Sequence, residues 1–170
     1  TGKTIAFAIP MIQRLAAKPG KCVVLLPTRE LAQQVADVCR EFAPAFNIGV
    51  ACLIGGEGKE SQLRDLNHKA RIIIGTPGRL YDHLERGALK VHDANILILD
   101  EADRMFDMGF APQINRIIRC LPKERQTMLF SATIPDEVMK LASQHMKLPI
   151  RIEAAKSCSA AQNVIQELYV

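Results

Sequence analysis

The sequence predicts an α/β fold in which a parallel β-sheet carries helices on both faces. Three observations lead there. Short runs rich in β-branched residues alternate with amphipathic stretches of helical period, the pattern of a sheet built from strand–helix–strand units. Several of those runs are apolar throughout rather than alternating, as strands covered on both sides must be. The chain has 170 residues, 48% hydrophobic and 24% charged, which suffices for one substantial core and is the balance of a folded domain.

Gly2-Lys3-Thr4 leads straight into a helical stripe of Ile5, Ile9, Ile12 and Leu15, closed by Lys18-Pro19-Gly20. No strand run stands ahead of that helix, so one is expected before residue 1. Residues 21–26 form the first strand run. Leu31, Val35, Val38 and Phe42 then repeat at helical spacing and stop near Pro44. Runs at 48–53, 71–75 and 94–100 predict further strands. Ile114, Ile117, Ile118 and Leu121 mark a helix ended by Pro122, and 127–130 reads as a strand. Val138, Leu141 and Ala142 mark another helix, and 150–153 reads as a last strand. Residues 1–153 are expected to form one domain. Residues 154–163 are small and polar, like a linker, and 164–170 turn β-like again, as the start of a second domain. There is no internal repeat and no low-complexity tract.

Bulk properties exclude some classes and leave others open. A net charge of +4 permits a polyanionic partner without requiring one. Cys22, Cys39, Cys52, Cys120 and Cys158 are scattered without C-x-x-C spacing, which reads as small apolar residues in a reduced compartment. His68, His83, His92 and His145 form no ligand pattern and read as surface or packing residues. No apolar run approaches the roughly 20 residues that cross a bilayer, and no charged leader precedes an apolar core. The protein is expected inside the cell, in the cytoplasm or, in a eukaryote, the nucleus, with no membrane partner.

In sheets of this kind ligands collect beyond the carboxyl ends of the strands, and the polar signals here follow strands. Gly2-Lys3-Thr4 fits the end of the phosphate-binding loop G-x-x-x-x-G-K-[ST]. Glycine lets backbone N–H groups approach phosphates, lysine offers compact charge, and the threonine hydroxyl reaches Mg²⁺, with the positive helix end behind them. Taken alone, the tripeptide is equally a capped helix start. The apolar run Ile96-Leu97-Ile98-Leu99 ends in Asp100-Glu101-Ala102-Asp103, and adjacent carboxylates at a strand tip suit a Mg²⁺–nucleotide site. Taken alone, they are equally a solvated acidic turn. The two together predict hydrolysis of a nucleoside triphosphate. Met105, Phe106, Met108 and Phe110, just beyond, are read as a helix packing back onto the sheet in preference to a hydrophobic contact site.

Asp100-Glu101-Ala102-Asp103 is also the name-giving motif of the DEAD-box ATP-dependent RNA helicases, and the chain resembles the N-terminal RecA-like domain of that family along nearly its whole length. Pro27-Thr28-Arg29-Glu30-Leu31 resembles motif Ia, Gly55-Gly56 the glycine doublet, Thr76-Pro77-Gly78-Arg79 motif Ib and Ser131-Ala132-Thr133 motif III, all in the family's order. Residues 100–110 and 130–135 resemble bacterial members most. The resemblance implies roles for the matched positions. Lys3 and Thr4 bind ATP phosphates and Mg²⁺, Asp100 holds the metal, largely through water, and Glu101 positions the hydrolytic water. Asp103 bonds to Ser131 and Thr133, which connect the nucleotide to RNA. Thr28, Arg29, Gly55, Gly56, Thr76, Gly78 and Arg79 line the RNA backbone, and backbone contacts of that kind carry no sequence information. Each of these has a plainer reading too: strand breakers, a turn, surface arginines. The resemblance further implies an adenine-selecting segment before residue 1 and a second RecA-like domain after residue 170. Without that second domain, residues 1–170 are expected to be inactive. Two other readings stay open: a DNA helicase or related motor, against which Asp103, the Thr76–Arg79 motif and the Ser131–Thr133 motif argue, and a catalytically silent RNA-binding module.

Overall fold

The computed structural model describes residues 2–68 and 70–153. Its elements run α1 (Lys3–Ala17), β1 (Lys21–Leu25), α2 (Arg29–Phe42), a 3-10 turn (Ala43–Phe46), β2 (Gly49–Leu53), α3 (Lys59–Asn67) and β3 (Ala70–Gly75). They continue with α4 (Pro77–Glu85), β4 (Ala94–Leu99), α5 (Ala102–Asp107), α6 (Ala111–Cys120), β5 (Gln126–Leu129) and α7 (Asp136–His145). The strands form one parallel sheet in the order β2-β3-β1-β4-β5. Parallel neighbours cannot be joined by a tight turn, so each connection crosses a face of the sheet and a helix covers it.

Side-chain alternation along the strands splits the core in two. Cys22, Val24, Ile72, Ile74, Ile96 and Ile98 pack with α1 and α2 on one face. Val23, Leu25, Ile73, Leu97 and Leu99 pack on the other with Leu80 of α4, Met105 of α5, Ile114 and Ile117 of α6 and Leu141 of α7. Strand β1 lies in the middle, and Cys22, Val23, Val24 and Leu25 are all fully buried. Each buried valine or leucine contributes about 1.5–3 kcal/mol, which is why this strand is apolar without interruption.

The structure corrects the sequence reading in several places. On α1 the buried residues are Phe7, Ala8, Met11, Ile12 and Leu15, whereas Ile5 and Ile9 are 49% and 40% exposed. The helix is apolar on two sides, so spacing alone selected a stripe rotated away from the one that faces the sheet. On α2 the small residues Ala32, Ala36 and Cys39 are buried with Val35, and Phe42 is exposed. Residues 150–153 are not a strand, and Ile150 and Ile152 are each 87% exposed. Their alternation fits a strand, but among the described residues no neighbouring strand takes their backbone groups, and Arg151 pairs with Glu153 instead. Helix α3 escapes pattern reading because its one buried residue is a glutamine, Gln62. The strand expected before residue 1, the linker 154–163 and the domain start at 164–170 lie outside the described residues. Among the described residues no helix is long and apolar enough to cross a membrane.

Candidate functional site

A single row of backbone hydrogen bonds crosses the carboxyl edge of the sheet. Phe130 N donates to Leu99 O, Asp100 N to Leu25 O, Leu26 N to Gly75 O and Thr76 N to Leu53 O, at 2.8, 3.0, 3.1 and 3.2 Å. The row fixes the loops that leave β5, β4, β1, β3 and β2 against one another. Two clefts open on that edge.

The larger cleft, about 540 Å³, lies beyond β1, β2 and β3 and is lined by Thr28, Arg29, Gly55, Thr76, Gly78 and Arg79, among others. Thr28 caps α2, its Oγ1 accepting from Leu31 N at 3.3 Å. Pro77 opens α4 directly after Thr76, where the fixed proline φ suits a helix start. Both helices therefore present their N-termini, with unpaired N–H groups and positive dipole ends, to the same space. The Arg29 guanidinium lies on the glycine doublet: its Nη2 is 3.0 Å from where a Cβ on Gly55 would stand, and a Cβ on Gly56 would overlap it. Gly56 also has φ +81°, which a side chain disfavours. Arg79 Nη1 donates to Glu57 O at 3.1 Å. Two carboxylates, Glu30 and Asp82, also line this cleft, and Asp82 is tied up by Lys59 at 2.7 Å and Arg86 at 2.8 Å. Their hydrogen bonds, that of Lys59 first, lower its pKa to about 2.

The smaller cleft, about 240 Å³, lies beyond β4 and β5 and brings Lys3 of α1 together with Asp100, Glu101, Asp103, Arg104 and Ser131. Gly2 and Thr4 are not among the lining residues, although Thr4 follows Lys3 directly in the helix. Asp100 is 9% exposed, and its Oδ1 accepts from Glu101 N at 3.0 Å. Burial raises its pKa, and only the Glu101 N–H and the Lys3 charge pull it back. Glu101 sits in the left-handed region, φ 51° and ψ 52°, a cost on the order of 1–3 kcal/mol for a non-glycine residue. The turn is held there because Ala102 N donates to Phe130 O at 3.0 Å. The Glu101 carboxylate reaches Arg104 at 3.2 Å in an exposed pair. Asp103 joins this turn to the loop after β5. Its Oδ2 accepts from Thr133 N and Oγ1 at 2.8 and 2.9 Å, and its own N–H donates to Ser131 Oγ at 3.1 Å. Burial alone would raise the Asp103 pKa, but the Thr133 bonds outweigh it and lower the value.

The Asp100 shift carries a stability prediction. An acid whose folded pKa lies above its unfolded one, about 3.9, favours the fold while protonated and loses that stability as pH rises through this window. Asp100→Asn should therefore raise Tm at pH 7, because it removes a buried charge. Thermal melts from pH 3 to pH 8 check it: the gain should vanish towards about pH 3. An unchanged or lowered Tm at pH 7 contradicts it.

Sequence reading missed several residues at these clefts. Arg104 was visible only as the residue three positions after Glu101 on a helix, and Asp82 required the fold. The apolar group after the acidic motif divides: Met105 is fully buried in the core, whereas Met108, 49% exposed, and Phe110 line the larger cleft. Cys22, Cys39 and Cys52 are buried free thiols. Burial raises all three pKa values, Cys39 to about 12 and Cys52 to about 11, so they behave as small apolar groups. His83 is buried between helices, and His145 bonds Asn115 at 3.3 Å.

Comparison with known proteins places this arrangement. The family model described as DEAD/DEAH box helicase matches residues 1–141. DEAD-box ATP-dependent RNA helicase 24 of Oryza sativa is 44% identical over 100% of this chain and 23% of its own length. ATP-dependent RNA helicase DBP2 of Saccharomyces cerevisiae is 42% identical over 98% of this chain and 32% of its own length. The chain thus spans about a third or less of these curated relatives. Among solved structures, a DEAD box protein from the hyperthermophile Methanococcus jannaschii aligns with a TM-score of 0.80 at 40% identity, over 86% of this chain and 40% of that one. The yeast DEAD-box splicing factor Prp28 aligns with a TM-score of 0.80 at 31% identity, over 86% of this chain and 38% of that one. The expected nearness to bacterial members is not borne out, since these curated relatives come from a plant and a yeast. The residues that prompted it do chemistry common to such sites and carry little information on lineage. The sheet, the ordered motifs and the family model agree, and the chain belongs to the DEAD/DEAH box helicase family, of which it forms the N-terminal RecA-like domain.

Proposed function

We propose that the protein couples ATP hydrolysis to local unwinding or remodelling of RNA duplexes. The observation that carries this reading is the pair of clefts on one sheet edge, one acidic with a single lysine, the other built of arginines and helix N-termini, joined by a continuous row of hydrogen bonds. Lys3 in the smaller cleft, with Gly2 and Thr4 beside it in the chain, binds the ATP phosphates, and Glu101 positions and deprotonates the attacking water. Among the described residues no three Asp, Glu, His or Cys side chains converge on one point, so the site fits a hard divalent ion held through its waters by Asp100, one of whose oxygens is engaged by the Glu101 N–H. Asp100 and Thr4 would hold Mg²⁺ there, largely through water, and the metal supplies neutralisation of phosphate charge. Asp103, Ser131 and Thr133 relay the state of the nucleotide to the loops at the RNA cleft.

In the larger cleft Thr28, Arg29, Gly55, Gly56, Thr76, Gly78 and Arg79 contact the RNA backbone. Arginine forks and helix N-termini address phosphates rather than bases, so binding is independent of sequence. A second RecA-like domain completes both sites, and the partner is RNA rather than a membrane. The buried free thiols fit a reduced compartment, the cytoplasm or a nucleus. Steady-state ATP hydrolysis by the intact protein, with and without RNA, tests the reading. RNA should raise the rate, and single-stranded DNA of equal length should raise it less. Hydrolysis absent under all conditions would favour a silent RNA-binding module instead, and equal stimulation by DNA would favour a general nucleic-acid motor.

The arginines give a further expectation. Arg29→Ala and Arg79→Ala should each weaken binding about tenfold, equally for unrelated RNA sequences, and lower the slope of log affinity against log salt by about 1. Fluorescence anisotropy over a salt series checks it, and a loss confined to one sequence would point to base readout.

A further inference from the structure

Gln62 of α3 and His83 of α4 are polar yet each only 1% exposed, and neither belongs to a motif. Gln62 Nε2 donates to Ile54 O at 2.8 Å, the carbonyl immediately before Gly55-Gly56. Its Oε1 stands 3.2 Å from Arg79 Nη1 and 3.0 Å from His83 Nε2. A guanidinium only donates and a carbonyl only accepts, so these two neighbours alone fix the amide's orientation. His83 must then donate from Nε2, which leaves its Nδ1 as a lone pair, buried without a partner. Burial and the nearby Arg79 charge both lower the His83 pKa, in keeping with a neutral ring.

We propose that Gln62 is a positioning residue for RNA binding, holding Arg79 and the Gly55-Gly56 turn in place for a phosphate. This rests on the reading of Arg79 as a backbone contact. Two features make an amide suited to the task. Arg79 is a long, flexible side chain, and fixing it before RNA arrives removes an ordering cost from binding. A neutral oxygen does so without cancelling the guanidinium charge, which a carboxylate in the same place would do. His83 occupies the remaining acceptor capacity of Oε1 and so holds the amide against rotation.

Two variants of the intact protein separate this role from a purely structural one. The measurement is anisotropy of a fluorescein-labelled oligouridine over a salt series with a non-hydrolysable ATP analogue present, beside thermal melts. Gln62→Met keeps the volume, removes all three hydrogen bonds of the amide and leaves the Arg79 charge. It should weaken binding about three- to tenfold with an unchanged salt slope. Gln62→Glu keeps an acceptor oxygen but pairs the guanidinium. It should weaken binding about tenfold and lower the salt slope by about 1, and in an Arg79→Ala background it should cost less than tenfold and leave the slope unchanged, since only the bond to Ile54 O is then lost. General loosening of the fold would leave the slope unchanged and add its full cost to that of Arg79→Ala. Parental affinity and slope in Gln62→Glu, while Arg79→Ala weakens binding, would overturn the proposal. Parental affinity in Arg79→Ala itself would instead overturn the RNA reading on which it rests. Should Gln62→Met melt below the assay temperature, the comparison of Gln62→Glu with Arg79→Ala decides alone.

Discussion

Glu101→Gln should leave ATP binding close to the parental value while turnover falls by about 10²–10⁴-fold. The substitution keeps shape and hydrogen-bonding reach and removes only the negative charge and basicity that a water-activating group needs. The fold should not register it: the side chain is 39% exposed, and its pair with Arg104 is of the solvent-exposed kind that contributes little. The strained backbone at this position, φ 51°, is held by the Ala102–Phe130 bond and by Asp100, not by the carboxylate. Lys3→Ala supplies the contrast. It removes the phosphate-facing charge and should weaken ATP binding about 10- to 100-fold, the loss expected for a charge-assisted hydrogen bond. Equilibrium titration of a fluorescent ATP analogue, paired with single-turnover hydrolysis, separates the two. A Glu101→Gln protein that hydrolyses at the parental rate removes Glu101 from catalysis.

Gly75→Ala should destabilise the fold by about 3 kcal/mol or more, a fall in Tm of roughly 6–12 °C. A Cβ there would overlap the backbone oxygen of Leu53 on the neighbouring strand. That oxygen cannot turn aside as a side chain can, because it accepts the Thr76 N–H in the row across the sheet edge. Relief of the overlap has to part β2 from β3, and it displaces Thr76 and Gly55 together. RNA binding should therefore fall along with stability. Circular dichroism melts check the first effect and anisotropy at low temperature the second. A Tm within about 2 °C of the parent would show that the two strands are not packed as described.

How much of this was legible in the sequence follows from how local each cause is. The strands at the sheet centre were plain, because β1 and β4 are buried on both faces and must be apolar throughout. The acidic turn was plain for a related reason: a solidly apolar strand ending in two carboxylates announces its own polarity and position. Face selection was not local. Both sides of α1 offer isoleucines, and only the sheet decides that Phe7 and Met11 go in while Ile5 and Ile9 stay out. The 150–153 segment shows the same limit, since alternation makes a strand possible and a paired neighbour makes it one. Asp82 and Gln62 depended on contacts between α3 and α4, for which no spacing rule exists. Glycine was ambiguous in sequence and decided in space: Gly56 has φ +81°, which disfavours any side chain, and the Arg29 guanidinium from a distant part of the chain lies over it.

On the proposed reading the two clefts report to each other through the Asp103 turn and the row of bonds along the sheet edge. The most direct measurement is the affinity of the intact protein for oligouridine with and without a saturating non-hydrolysable ATP analogue, together with the affinity for the analogue with and without RNA. Binding free energies are reciprocal, so nucleotide should tighten RNA binding, and RNA should tighten nucleotide binding by the same factor, about 5- to 150-fold. Thr133→Val, which removes one of the two Thr133 bonds to Asp103, should shrink that factor while leaving each separate affinity near its parental value. An RNA affinity that does not change when nucleotide binds would contradict the account, however tightly each ligand is held.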